Sequence, residues 1–402
     1  MFKKLLIANR GEIFNRIKKS AEQLGIEIVQ YPGKTPRDFF DIDKVIDFAV
    51  QEQVDAIHPG YGFLSESAKF AQAVIDNGII FVGPNPQVLE LFGDKQKTRD
   101  FAIEHGLPVI PNTTKDDLPL IASFNHAGGG RGTFIIDNKE EFEEITEGRN
   151  DYQLLKKIES ARHLEIQVMV ADNIVRVLGY RDSSLQLKQQ KIIEFSTPEI
   201  SEMAKKFDAA KLFEGLNYRG IATIELLAKD DKVYLLEVNP RIQVEHPVTE
   251  MTGHFDLVNF QLVLAAGLMP IENRMAYLVP TTAIEVRLQA VNPAKGMLPT
   301  PGKIDSVKLP EEVDFKLRID NGFLMNDQTI SPFFDPLLAK IISSDFDFLQ
   351  ARRNLVEALK KIEIKGDIST NKDFLINILS DDNLFDLHIN TSYLDQHYQE
   401  YI

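Results

Sequence analysis

The stretch "ATIELLAKDDKVYLLEVNPRIQVEHPVTEMTG", residues 222–253, decides how this chain is read. It holds two β-branched and apolar runs joined by a short charged turn between Lys229 and Lys232, the pattern of a hairpin. Glu225 lies on the first run and Glu237 on the second. Strand side chains alternate between faces, so the pairing register decides whether the two carboxylates share one. If they do, they can bridge Mg²⁺, which takes carboxylates together with phosphate oxygens. Asn239, two residues past Glu237, would face the same way and add an oxygen. Arg241, Gln243, Glu245 and His246 then follow in one irregular segment. A charged turn of this kind is ordinarily a surface salt-bridge cluster. A strand that ends in alternating carboxylate and amide is unusual packing material, and it favours a site.

Upstream, strands and helices alternate. Leu5–Ala8 reads as a buried strand followed by a helix to Leu24, and "IEIVQY", "VDAIHPG" and "IIFVGP" read as further strands. "DKVIDFAVQEQ" and "SESAKFAQAVIDNG" read as helices, the second with Ser65 as its N-cap. This alternation predicts a parallel α/β layer. Leu118–Ile136 reads as two strands around a glycine loop. From Leu164 short strands dominate, with "TAIEVRLQAV" and "LLAKIISS" as later apolar segments and helices expected at 201–214 and 348–361. "NPAKGMLPTPGK" is rich in proline and glycine and predicts a loop.

Composition narrows the class. At 402 residues two or three domains are expected, and 44% apolar residues supply their cores. No apolar run approaches membrane-spanning length and "MFKKLLIANRGEI" lacks a signal-peptide pattern, which predicts a cytoplasmic protein with no membrane partner. The absence of cysteine excludes disulfides and thiolate chemistry. A formal charge of -15 argues against a nucleic-acid partner, though it leaves room for a local basic nucleotide pocket.

With these pieces in order, the sequence resembles the biotin carboxylases, the ATP-grasp component of biotin-dependent carboxylases such as acetyl-CoA carboxylase. "IANRGEI" at 7–13, "IHPGYGFLSE" at 57–66, "FVGP" at 81–84 and "GDK" at 93–95 resemble the family's N-terminal domain and linker. "GGGRG" at 128–132 resembles its lid loop. "RHLEIQV" at 162–168, "RD" at 181–182, "QK" at 190–191 and "RIQVEHPVTEM" at 241–251 resemble its catalytic core. "LPTPGKI" at 298–304 and "RIDNG" at 318–322 resemble its C-terminal part. The resemblance implies an N-terminal parallel α/β domain over 1–82, a linker over 83–109, a reduced lid over 110–157 and a mixed-sheet core and C-terminal domain over 158–402.

It also implies a reaction. Bicarbonate attacks the γ-phosphate of ATP, carboxyphosphate falls apart to CO₂ and phosphate, and the phosphate deprotonates biotin. Such chemistry needs cations around a triphosphate and little covalent help. Glu225, Glu237 and Asn239 match metal ligands for Mg²⁺ or Mn²⁺. Lys95, the backbone of Gly128, Gly129 and Gly130, Lys156, Ile158, His163, Gln186 and Gln189 match ATP contacts. Lys191, Arg241, Gln243 and the Val244 backbone match the bicarbonate pocket, where Arg241 offers a planar fork to a planar anion. Glu245 matches the base that deprotonates bicarbonate, and Arg318 the arginine that stabilises the biotin enolate. No biotin-attachment signature is present, so biotin is expected on a separate carrier protein, with separate carboxyltransferase subunits, and the chain itself as a homodimer.

The sequence departs from the family at the nucleotide side. Counting back from Arg131, the family's ATP-contacting lysine falls on Ser123, and no lysine occurs between Lys115 and Lys139. Leu155 replaces the adenine-hinge glutamate, and Gln189 stands where a histidine is usual. The N-terminal layer and the lid are both shortened. Three readings follow: an active biotin carboxylase, a non-catalytic or weakly ATP-binding paralogue serving as a binding or regulatory subunit, or another ATP-grasp ligase. The bicarbonate-side and biotin-side residues occurring together weigh against the third.

Overall fold

A computed structural model describes residues 1–125, 132–270, 281–385 and 389–402. The chain opens with four parallel strands, β1 (Lys4–Ile7), β2 (Glu27–Gln30), β3 (Ala56–His58) and β4 (Ile80–Phe81), in the order β2-β1-β3-β4. Helices α1 (Gly11–Gln23), α2 (Pro36–Phe40), α3 (Ile42–Gln51) and α4 (Ala68–Asp76) connect them. Because β1 alternates, Leu6 packs with Ile57, Phe70 and Val74 on one side of the sheet. Leu5 and Ile7 pack on the other, in a core shared with Ile221, Ile242 and Leu257. The sheet is thereby joined to the rest of the molecule, with α1 at the junction.

Helices α5 (Pro86–Phe92) and α6 (Lys95–Glu104) lead to a small antiparallel sheet. Its strands β5 (Leu120–Phe124), β6 (Thr133–Ile136) and β7 (Tyr152–Lys156) stand in the order β6-β5-β7, with α7 (Lys139–Thr146) against them. Its core is small, centred among the described residues on Leu120, Ala122 and Ile136. The glycine loop between β5 and β6, with Gly128, Gly129, Gly130 and Arg131, lies outside the described residues.

Eight antiparallel strands form the main sheet. They are β8 (Arg162–Ala171), β9 (Ile174–Leu187), β10 (Gln190–Ser196), β11 (Gly220–Lys229), β12 (Lys232–Asn239), β13 (Thr282–Gln289), β17 (Leu317–Asn321) and β19 (Leu337–Asp345). Their order is β12-β11-β8-β9-β10-β13-β19-β17. Between them come α8 (Pro198–Ala204), α9 (His246–Gly253) and α10 (Leu257–Ala265), with α11 (Phe348–Lys361) after β19. The remaining strands are the pair β14 (Val291–Asn292) and β15 (Leu298–Pro299), and a three-stranded sheet of β16 (Gly302–Lys308), β18 (Gln328–Ile330) and β20 (Glu363–Gly366). No helix among the described residues is long and apolar enough to cross a membrane.

Three local expectations need correction. Ser65 does not cap α4: its N–H donates to Gly62 O at 2.9 Å, which locks it in a turn, and Ser67 caps instead, accepting from Phe70 N at 3.1 Å. The helix expected at 201–214 begins earlier, with Pro198 in its first turn, and stops at Ala204. Asp208 then accepts from Ala210 N at 3.2 Å, a local bond that competes with helix, and only a short 3₁₀ turn, Lys211–Phe213, remains. The proline- and glycine-rich stretch at 292–303 is not all loop, because Asn292 and Leu298 pair in the β14–β15 ladder.

Candidate active site

The site is built on one row across the main sheet. Glu237 on β12 pairs with Glu225 on β11, Glu225 with Glu165 on β8, and Glu165 with Arg181 on β9. Directly opposed residues point to the same face, so three carboxylates and a guanidinium line up. The Glu225–Glu237 pairing depends on a register shift between Glu225 and Leu226. From Lys229↔Lys232 to Leu226↔Leu235 the hairpin counts evenly, and without the shift Leu236 would oppose Glu225. A one-residue bulge re-aims Glu237 onto the shared face.

Like charges in a row need counterions. Arg181, fully buried, donates to Glu165 Oε2 at 2.6 Å, Thr249 Oγ1 at 2.6 Å and Gln243 Oε1 at 2.8 Å. Lys191, reaching in from β10, bonds Glu165, lies 3.0 Å from Glu225 Oε1 and 2.6 Å from Glu245 Oε1. Burial alone would lower the Lys191 ammonium, but Glu165, Glu225 and Glu245 hold it well above its ordinary range. Burial would raise the Glu245 carboxyl, and Lys191 and Arg287 hold it well below instead. Glu245 sits at the N-cap of α9, with Arg287 Nη2 3.1 Å from its other oxygen.

The expected metal trio does come together. Asn239 Nδ2 is 2.8 Å from Glu225 Oε1 and 3.4 Å from Glu237 Oε1. Ligand atoms of His163, Glu165 and Glu225 also lie within 4.8 Å of one another. That second cluster already encloses the Lys191 ammonium, whereas the Glu237 carboxyl is raised by burial and by the Glu225 charge. A divalent ion at the Glu225–Glu237 face would relieve that repulsion.

His163 and Gln186, expected against ribose and phosphates, are engaged with each other and with the carboxylate row. His163 Nε2 is 2.7 Å from Glu225 Oε2, and Gln186 Nε2 is 2.6 Å from His163 Nδ1. Gln243 likewise spends its amide on Arg181 and on Glu225 Oε1, 2.6 Å away. Arg241 donates to Glu66 Oε1 at 2.5 Å, Asn239 Oδ1 at 2.9 Å and Ile242 O at 3.1 Å. The Val244 carbonyl accepts from Lys340 Nζ at 2.8 Å. Arg318 forks onto Asp320 at 2.6 and 2.7 Å and donates to Glu250 Oε2 at 2.7 Å.

The lid meets this body at Thr133. Lys95 Nζ donates to Thr133 Oγ1 at 3.1 Å, and Gln189 Nε2 to Thr133 O at 3.3 Å. Ser123 pairs with Thr133 and with Gln153, and Leu155 pairs with Ile121, so Ser123 and Leu155 look out on the face that Lys95 approaches. Lys156 N is taken by Pro111 O at 2.9 Å, and Ile158 beside it is half-buried. Of two other lysines on the lid side, Lys157 Nζ is 3.5 Å from Asp137 Oδ1 and Lys188 Nζ is 3.5 Å from Gly296 O.

An acidic and basic row beneath a small antiparallel lid, beside a parallel α/β layer, is the arrangement of an ATP-grasp ligase. Residues 30–89 match the family described as biotin carboxylase, N-terminal domain, residues 90–271 the carbamoyl-phosphate synthase L chain, ATP binding domain, and residues 285–396 the biotin carboxylase C-terminal domain. A biotin carboxylase of Halalkalibacterium halodurans is 35% identical, with 94% of each chain covered. A pyruvate carboxylase of Staphylococcus aureus is 33% identical over 94% of this chain, but the chain spans only 38% of its length. Other relatives are a 2-oxoglutarate carboxylase small subunit of Hydrogenobacter thermophilus and urea amidolyases. A crystal structure of the Hydrogenobacter thermophilus 2-oxoglutarate carboxylase biotin carboxylase domain dimer, with MgADP, ADP and bicarbonate, superposes with a TM-score of 0.91 at 31% identity, covering 100% of this chain and 99% of that one. This chain belongs to the biotin carboxylase family.

Proposed function

We propose that the chain carboxylates biotin, presented by a separate carrier protein, at the expense of ATP and with bicarbonate as the carbon source. The observation that carries this reading is the Lys191 ammonium shared by Glu165, Glu225 and Glu245 at the end of a carboxylate row. Glu225 and Glu237 offer hard oxygens and, together with Asn239, whose Oδ1 here accepts from Arg241, would hold Mg²⁺ or Mn²⁺. The ion supplies charge neutralisation to the ATP phosphates. Lys95 and Gln189 approach the nucleotide from the lid side, the backbone N–H groups of Gly128, Gly129 and Gly130, outside the described residues, would contact its phosphates, and the hinge at Lys156 and Ile158 offers it backbone groups. His163 and Gln186 lie against the nucleotide's ribose and phosphates, with His163 Nε2 2.7 Å from Glu225 Oε2 and Gln186 Nε2 2.6 Å from His163 Nδ1.

Bicarbonate lies against Arg241, Gln243 and the Val244 backbone, and Glu245 takes its proton. A bicarbonate oxygen then bonds to the γ-phosphorus as the bond to ADP breaks. The resulting carboxyphosphate splits into CO₂ and phosphate, the phosphate takes the ureido proton of biotin, and the ureido nitrogen bonds to CO₂. Three of the five N–H groups of Arg318 are committed to Asp320 and Glu250, which leaves two for the negative charge that develops on the ureido oxygen.

The finer assignment is an acetyl-CoA carboxylase-type complex serving fatty acid biosynthesis in the cytoplasm, with a biotin carboxyl carrier protein, carboxyltransferase subunits and a homodimer of this chain. The 33–35% identities with carboxylases of several acceptors support the shared half-reaction more than any one acceptor. The domain limits of 1–82, 83–109, 110–157 and 158–402 belong to the same proposal and agree with the separate sheets. Ser123, with Lys157 near Asp137 and Lys188 near the Gly296 carbonyl, favours a second reading, a weakly ATP-binding regulatory paralogue. Bicarbonate-dependent ATP hydrolysis with and without free biotin separates them: biotin stimulation is expected, and absence of MgATP binding overturns the catalytic reading.

A further inference from the structure

Behind Glu245 lies a second acidic pair that the reaction as described does not use. Glu194 on β10 and Glu285 on β13 stand directly opposite each other, and both are fully buried. Arg287 Nη2 lies 2.5 Å from Glu194 Oε1 and 3.1 Å from Glu245 Oε2, so one guanidinium nitrogen is divided between two carboxylates. No oxygen of Glu194 or Glu285 has a hydrogen-bond partner among the described residues, and what distinguishes Glu194 is its ion pair with Arg287. Two opposed carboxyls served by one guanidinium cannot both be ionised without a large desolvation cost. Glu285, with no partner, is the one that keeps a proton.

We propose that Glu194 is a positioning residue for the reaction: by holding Arg287 it limits the grip of that guanidinium on Glu245 and so sets how readily Glu245 accepts a proton. The proposal rests on the reading of Glu245 as the base. When Glu194 is ionised, Arg287 is shared. When Glu194 is neutral, Arg287 turns wholly to Glu245 and makes it a poorer base. The groups that face Glu194 are Arg287 and Glu285 from β13, Glu245 from the start of α9, Lys191 from its own strand and Glu165 from β8, with Lys340 of β19 facing Glu285. Burial dominates and pushes the Glu194 carboxyl up to about 7, although Arg287 pulls the other way. Glu194 therefore changes charge in the range where the enzyme would work.

The test is the pH profile of bicarbonate-dependent ATP hydrolysis between pH 6 and 8, at saturating MgATP and bicarbonate, with MgATP binding and thermal unfolding measured on each variant. For a single group titrating near 7, wild-type kcat is expected to rise roughly tenfold across this range. Glu194→Gln is expected to be flat and well below the wild-type rate even at pH 6, with KM for ATP unchanged. Glu194→Asp keeps the carboxylate and is expected to keep the rise. A Glu194→Gln profile that retains the wild-type rise overturns the proposal. If Glu194→Gln does not fold, Glu194→Asp carries the test, and loss of its rise overturns the proposal. Glu245→Gln, run alongside, tests the reading beneath: full activity there overturns the base assignment, whereas an inactive Glu245→Gln with an unchanged Glu194→Gln profile removes only the role of Glu194.

Discussion

Lys191 Nζ and Glu245 Oε1 are 2.6 Å apart, and the same ammonium is 3.0 Å from Glu225, so one cation joins the proposed base to the proposed metal face. The pairing holds Glu245 ionised: burial opposes it, and Lys191 and then Arg287 outweigh burial. Glu245→Gln keeps the shape and the hydrogen-bonding capacity but loses the base. General base catalysis contributes about 10²–10⁴-fold, so bicarbonate-dependent turnover should fall by about that factor while MgATP binding is kept. Nucleotide titration beside steady-state kinetics checks this, and unchanged turnover removes Glu245 from the base role.

Glu237 is raised by burial and by Glu225, the repulsion that a divalent ion would relieve. Glu237→Gln removes one ligand charge. Changes in outer-shell partners alone cost about 10–100-fold in metal affinity. The Mg²⁺ concentration for half-maximal turnover should therefore rise at least about tenfold. A variant with the wild-type Mg²⁺ dependence would place the ion elsewhere, and the cluster of His163, Glu165 and Glu225 would be the next candidate.

The sequence carried the parallel layer, the lid strands and the hairpin, because these are local patterns of period and turn. It left open whether Glu225 and Glu237 share a face, and the reason is physical. Even counting from Lys229↔Lys232 places Leu236 opposite Glu225, and the bulge that corrects the register has no local signature in "LLEVN". Glu165, Arg181 and Glu66 lay inside recognisable stretches but received no role, since their partners are distant in sequence: Arg181 meets Gln243 and Glu66 meets Arg241. Lys340, fully buried, reaches both the Val244 carbonyl and Glu12, within 3.1 Å, and only folding brings those three together. Ser65 was misread because a serine before a helical run is a cap only where the backbone stays extended, and that condition is met at Ser67.

His58, at the end of β3, is fully buried, and its Nδ1 accepts from Gly60 N at 3.0 Å. Burial lowers its pKa to about 3, against an ordinary value of 6.5. Between those values the unfolded chain binds the extra proton, so stability rises with pH and is lost as pH falls from 6.5 towards 3. By pH 5 the loss amounts to about 2 kcal/mol. His58→Asn retains an acceptor for Gly60 and removes the titration. Urea midpoints at pH 7.5 and 5 should fall less for this variant than for wild type, and an equal fall would show that His58 is charged in the folded protein.

Ser123 lies opposite Thr133 in the lid sheet, on the face where Lys95 makes its contact, and a lysine there would point to the same space. The family resemblance puts a lysine at this position. Lys157 Nζ lies 3.5 Å from Asp137 Oδ1 and Lys188 Nζ 3.5 Å from the Gly296 carbonyl. Lys95 reaches the lid from α6 and donates to Thr133 Oγ1. A charge-assisted contact to phosphate contributes about 1.5–3 kcal/mol, or roughly ten- to a hundredfold in affinity. Ser123→Lys should tighten MgATP binding by about that factor and leave the response to bicarbonate unchanged, because Glu245, Arg241 and Lys191 sit on other strands and loops. Calorimetric titration of both proteins with MgATP decides it. Tight binding by the wild type with no gain in the variant would mean that the charge is supplied from elsewhere in the site. Absence of binding in both would mean that the lid has lost more than one side chain, and the regulatory reading would then stand in place of the catalytic one.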